Sequence, residues 1–155
     1  MMFRATEEIS EAFDEHDIKY RIFEADETSR VGADVQVGYT AFCIWFISSD
    51  DDSDVAVRVP NFVRFRTEEE KKRILRVVNE MNRKYRYIKF SLIPHENSVI
   101  LEYDFPASTQ DIGKTSIEIF HRMMQIAHES YQNFMKALWG SDQFFGNAVF
   151  YEYKY

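Results

Sequence analysis

Asn79 and Asn82 stand three residues apart in "VVNEMNRKYRYIKFSL", Val77 to Leu92, and a row of bases and aromatics follows them: Arg83, Lys84, Tyr85, Arg86, Tyr87 and Lys89. Two amides at that spacing lie near one another on a helix surface. Bases interleaved with tyrosines could hold phosphates and stack nucleobases. A structural reading weighs more. Asn82 falls in register with Leu75 and Val78, so its amide is placed to satisfy backbone groups at the helix end or in the adjoining strand. Lysine and arginine in a last helical turn favour the negative helix end, and their stems cover apolar surface while the charges stay wet.

The other chemistry-bearing residues fall short of a site. Asp50, Asp52 and Asp54 alternate as in a calcium loop, but Val55 stands where that loop needs glycine and Asn61 where it needs glutamate. A solvated turn is the better reading. His121 and His128 are two helical turns apart, roughly 10 Å along the axis, and cannot readily share a metal. His16 and His95 belong to other segments, and no CxxC or HExxH spacing occurs. There is no GxSxG elbow and no phosphate-binding glycine loop. The single Cys43, in "AFCIWFI", reads as a packed strand residue that cannot form an internal disulfide. No catalytic residue, metal ligand or cofactor is expected.

What must position these residues is one fold. A chain of 155 residues suits a single core, and 45% hydrophobic content with five glycines and three prolines leaves little for linkers. The formal charge of -7 disfavours nucleic acid as partner. It is unevenly spread: residues 1 to 66 hold fourteen acids and seven bases, whereas residues 71 to 89 carry eight bases against Glu80 alone. The acidic first third is therefore a candidate to pair with the basic patch, within one molecule or between subunits. No secretory signal is visible and no run approaches the roughly 18 to 20 apolar residues of a membrane span, so a soluble, cytoplasmic chain is expected.

Helical spacing of Ile9, Ala12 and Phe13 predicts a helix from Thr6 to about Asp17. "KYRIFEA" and the long run "DVQVGYTAFCIWFIS" predict two strands joined by a polar connection near Thr28 to Gly32, and "DVAVRV", ended by Pro60, a third. Thr67 and Glu70 form a T-x-x-E capping box that opens a second helix, with Ile74, Leu75, Val77, Val78 and Met81 as its buried stripe. "YRYIKFSLI" and "SVILEYDF" predict a hairpin around "PHEN". Ser108 or Thr109 can cap a last helix that reaches about Trp139 and stops at Gly140. The order α-β-β-β-α-β-β-α predicts an α+β fold, an antiparallel sheet packed against helices.

The stretches "DIKYRI", "YTAFCIWFIS", "VAVRVPNFVRF" and "VVNEMNRKYRYIKFSL" followed by "SVILEYDF" resemble the YbjN family of bacterial sensory-transduction regulators. The resemblance implies a fold similar to type III secretion chaperones and a non-enzymatic, often dimeric binding module, with no catalytic residues to carry over. The expectation is therefore a single domain over residues 1–140, chaperone-like or regulatory in role, that binds a protein or peptide and forms a homodimer without nucleic acid or membrane. The alternative is a small-ligand sensor or unrecognised enzyme with a pocket between sheet and helices. Candidate partner-binding residues are Asn79, Asn82, Arg83, Tyr85 and Tyr87, with Phe150, Tyr151 and Tyr153 from an aromatic tail over 141–155. Such a tail would expose apolar surface unless it docked on the domain or on a second subunit.

Overall fold

The computed structural model describes residues 2–50 and 53–140. Helix α1 (Arg4–Glu15) is followed by strands β1 (Arg21–Glu24), β2 (Ser29–Val37), β3 (Thr40–Ser48) and β4 (Asp54–Arg64). Then come α2 (Glu68–Lys84), β5 (Lys89–Ile93), β6 (Ser98–Pro106) and α3 (Ile112–Trp139). The strands form one antiparallel sheet in the order β1-β2-β3-β4-β6-β5. The α+β class is as expected, with one strand more before α2. The run "DVQVGYTAFCIWFIS" folds back on itself at Gly38 and Tyr39, where Val37 pairs with Thr40 and Gly38 takes φ 61°. A glycine at the first central position suits a two-residue hairpin turn. The residues expected as a connection, Thr28 to Gly32, mostly belong to β2.

Pro60 does not end β4. Beyond Arg58 that strand pairs with β6 alone, and its register shifts between Val59 and Val63, with Asn61 at φ 55°. This bulge turns Phe62 and Val63 inward together, both 2% exposed. Phe62 then meets Phe42, Phe134 and Tyr131, with ring centroids 4.8, 5.8 and 5.8 Å away. Phe13 of α1 packs on Phe46 and Phe120, joining α1, the sheet and α3 in the same core.

Helices α2 and α3 start where polar side chains satisfy their free N–H groups, whereas α1 starts at Phe3 without a side-chain cap. Thr67 Oγ1 accepts from the Glu70 N–H at 3.1 Å, and Glu70 Oε1 accepts from the Arg66 N–H at 2.9 Å. The cap of α3 is Asp111, which accepts from Lys114 N–H at 3.0 Å, rather than Ser108 or Thr109. A carboxylate interacts with the positive helix end more strongly than a hydroxyl does. Gly140, at φ 73°, closes α3 in the left-handed conformation. Leu75 departs from the expected stripe of α2: it is 44% exposed, while Ile74, Val77, Val78 and Met81 are buried.

Register sorts the sheet into two faces. Val31, Phe46 and Val57 align across β2, β3 and β4, and Val57 aligns with Tyr103 of β6. This face lies under the helices. One residue along, Arg21, Gly32, Trp45, Arg58, Glu102 and Lys89 form a row across all six strands, and none of them but Gly32 is buried. The second face carries no helix among the described residues.

Candidate functional site

The sheet face that the described residues leave uncovered is where the sequence departs from the usual alternation of buried apolar and solvated polar residues. Trp45 lies over Gly32, so closely that a Cβ added there would collide with the ring. A glycine inside a strand often marks such a close approach. The guanidinium carbons of Arg30 and Arg21 stand 4.7 and 5.7 Å from the Trp45 ring centroid, and Phe23 meets the same ring edge-on at 5.5 Å. Phe23 remains 47% exposed. Ile47, Ala56 and Ile100 extend the surface, all half-buried. Towards β6 it becomes ionic: Arg58 Nη1 donates to Asp104 Oδ1 at 2.6 Å, and Arg58 Nε lies 3.6 Å from Glu102 Oε2.

Cys43 belongs to this face, not to the core. It is half-buried, and Arg21 Nη2 donates to its sulfur at 3.4 Å while also donating to Asp34 at 3.0 Å. Burial pushes the thiol pKa up to about 11, against an opposing pull from Arg21. At pH 8 the thiol should be alkylated at least about tenfold more slowly than a free thiol of pKa about 8.5, its lower thiolate fraction outweighing the greater nucleophilicity of a more basic thiolate. Comparing rates in the folded and urea-unfolded chain checks this. Equal rates would mean that Cys43 is not so placed.

The asparagines separate. The Asn82 amide donates to the Phe90 carbonyl at 2.9 Å and accepts from the Phe90 N–H at 2.7 Å. It thus takes the place of a neighbouring strand at the outer edge of β5, which blunts an edge that could otherwise template pairing. Asn79 is exposed on α2. Arg83 is exposed in the last turn of α2. Tyr85 Oη donates to Glu129 at 2.9 Å, and burial, with that contact, raises its pKa. Tyr87 is 68% exposed at φ 72°, a backbone conformation rare for an aromatic residue, with the Arg122 guanidinium 5.6 Å from its ring. Lys84, Arg86 and Arg122 line one hollow with these two tyrosines. Phe150, Tyr151 and Tyr153, and the expected docking of the tail, lie outside the described residues.

Asp50 is occupied in its own turn, accepting from the Ser53 N–H at 2.6 Å and from Ser53 Oγ at 3.0 Å. Among the described residues no group of three His, Cys, Asp or Glu is arranged to hold a metal ion. No helix among them is long and apolar enough to cross a membrane. Sequence reasoning missed the cluster of Phe23, Arg30 and Trp45, because its members come from three strands. The available signal was Gly32 inside a β-rich run.

Three helices on one face of a six-stranded antiparallel sheet, with the other face bearing an arginine–aromatic cluster, define a two-layer α+β sandwich. The family model YbjN, described as "Putative bacterial sensory transduction regulator", matches residues 5–137. The chain belongs to the YbjN family. That description is of a regulator family, not of an enzyme family. No curated protein matches the chain.

Proposed function

We propose that the chain is a non-enzymatic regulator that works by binding another protein or a peptide, in a sensory or chaperone-like setting, over the uncovered face of its sheet. The observation that carries this reading is the cluster of Trp45, Phe23, Arg21 and Arg30 on that face. Tryptophan and arginine are enriched among the residues that supply most binding energy at protein interfaces. The cluster is also held in place before any partner arrives, because Gly32 seats the Trp45 ring, and preorganisation lowers the entropic cost of association.

A photo-crosslinking residue in place of Phe23 or Ile47 should give a discrete adduct in native cells, whereas the same residue in place of Tyr39 should not. Tyr39 is the stringent control, since it is 91% exposed on the β2–β3 turn and tests exposure alone. Adducts from all three positions alike, or from Tyr39 only, would sink the assignment of this face.

A further inference from the structure

The helix layer carries two oppositely charged hollows that do not neutralise one another. The first lies where α1 meets the start of α3 and is lined by Glu8, Glu11, Glu15, Asp111 and Glu118. Asp111 is spent on its helix cap, and among the described residues none of the four glutamates forms an ion pair. Lys114 is the one lysine or arginine among its lining residues. The second hollow lies where the end of α2 meets the middle of α3 and holds Lys84, Arg86 and Arg122. Its carboxylate, Glu129, is taken by Tyr85 Oη at 2.9 Å and Gln125 Nε2 at 3.1 Å. Among the described residues none of the three cations pairs with a carboxylate. Lys84 and Arg122 stand instead 5.2 and 5.6 Å from the ring centroids of Tyr85 and Tyr87.

The hollows share one stripe of α3. Glu118 lines the first and Arg122 the second, one helical turn or about 6 Å further on. Two neighbouring patches on one surface can always be exchanged by a two-fold axis that runs between them in the plane of that surface. Such an axis sets the acidic hollow of one copy against the basic hollow of the other, twice over, which is the self-complementarity that a closed two-fold dimer requires. We infer that the helix layer is a dimer interface, in which the hollow at Lys84, Arg86 and Arg122 receives Glu11, Glu15 and Glu118 of a second copy. Tyr87 supplies the aromatic anchor, since it is 68% exposed at the mouth of the basic hollow, on a backbone held at φ 72°. Strained backbone persists where it is part of a working surface. This inference stands apart from the reading of the sheet face, because it uses the opposite side of the molecule.

The test is a charge exchange read by light scattering and sedimentation on the full chain, with circular dichroism as the check that each variant folds. The unaltered chain should have dimer mass at about 50 mM salt and move towards monomer at about 1 M, where the screening length falls to roughly 3 Å. The variant Arg86→Glu/Arg122→Glu carries two acidic hollows, and Glu11→Lys/Glu15→Lys/Glu118→Lys carries two basic ones. Each alone should dimerise about tenfold or more weakly than the unaltered chain. Mixed in equal amounts, they should form a heterodimer with near-original affinity. A chain monomeric at both salt concentrations, a folded variant that still dimerises as before, or folded variants that fail to combine would each overturn the inference. A monomeric chain that binds inorganic pyrophosphate through Arg86 and Arg122 would do so too, and would make the basic hollow a site for anions instead.

Discussion

Phe90→Ala should destabilise the chain by about 3 to 5 kcal/mol in equilibrium unfolding. The ring is 1% exposed and lies 5.8 Å from Phe134 of α3, 6.4 Å from Phe62 at the β4 bulge and 6.2 Å from Tyr85 at the end of α2. Truncation removes a contact with each of three elements, and neighbours fixed in a sheet and two helices collapse poorly into the space. Its neighbour Lys89 points to the uncovered face in line with Glu102, and Lys89→Ala should change stability by no more than about 0.5 kcal/mol. If denaturant midpoints show the two substitutions equally mild, the register of β5 is wrong.

Asn82→Ala should cost about 1 to 3 kcal/mol, the range for leaving partly buried polar groups without partners. Both the N–H and the C=O of Phe90 lose their bonds at once. The cost should come with a second symptom, concentration-dependent aggregation, because an uncapped strand edge invites pairing with another chain. Asn79→Ala should do neither, since the bonds to Phe90 are made by Asn82 and not by Asn79. Identical stability and solubility for the two variants would refute the edge-capping role.

Patterns that depend on near neighbours in the chain were legible in the sequence. The T-x-x-E box at Thr67 places the start of α2, because capping is a matter of three residues. The alternation at Val55, Val57 and Val59 separates the two faces of β4 in the same way. What depends on distant partners was not legible. Pro60 reads as a strand end until β3 is seen to have left that stretch of β4. Leu75 sits at core spacing, yet nothing among the described residues covers it enough to bury it, because helical periodicity does not say how wide the buried stripe is. The Trp45 cluster needs the register of β1, β2 and β3 together, which is set by the Gly38–Tyr39 turn that the continuous β-rich run conceals. The Asn82 role was half legible: its position at the core edge follows from spacing, but the identity of the strand it closes does not.

The bulge at Asn61 also divides the molecule by mechanical strength. β2 and β3 are laced along their whole lengths, Ser29–Val37 against Thr40–Ser48, but β3 and β4 are laced only from Trp45 to Ser48. Past that point the two strands are joined by side chains alone, Phe42 against Phe62, with Tyr131 of α3 touching both. Side-chain packing yields more readily than a hydrogen-bonded ladder when the structure breathes, and cooperative units open along such lines. In native-state hydrogen exchange the amides of Thr40 to Ile44 and of Val59 to Val63 should therefore share an early opening, before the rest of the sheet. α3 acts as the rivet across a seam, and a partner that straddled the sheet on its uncovered side would hold that seam shut from the other side.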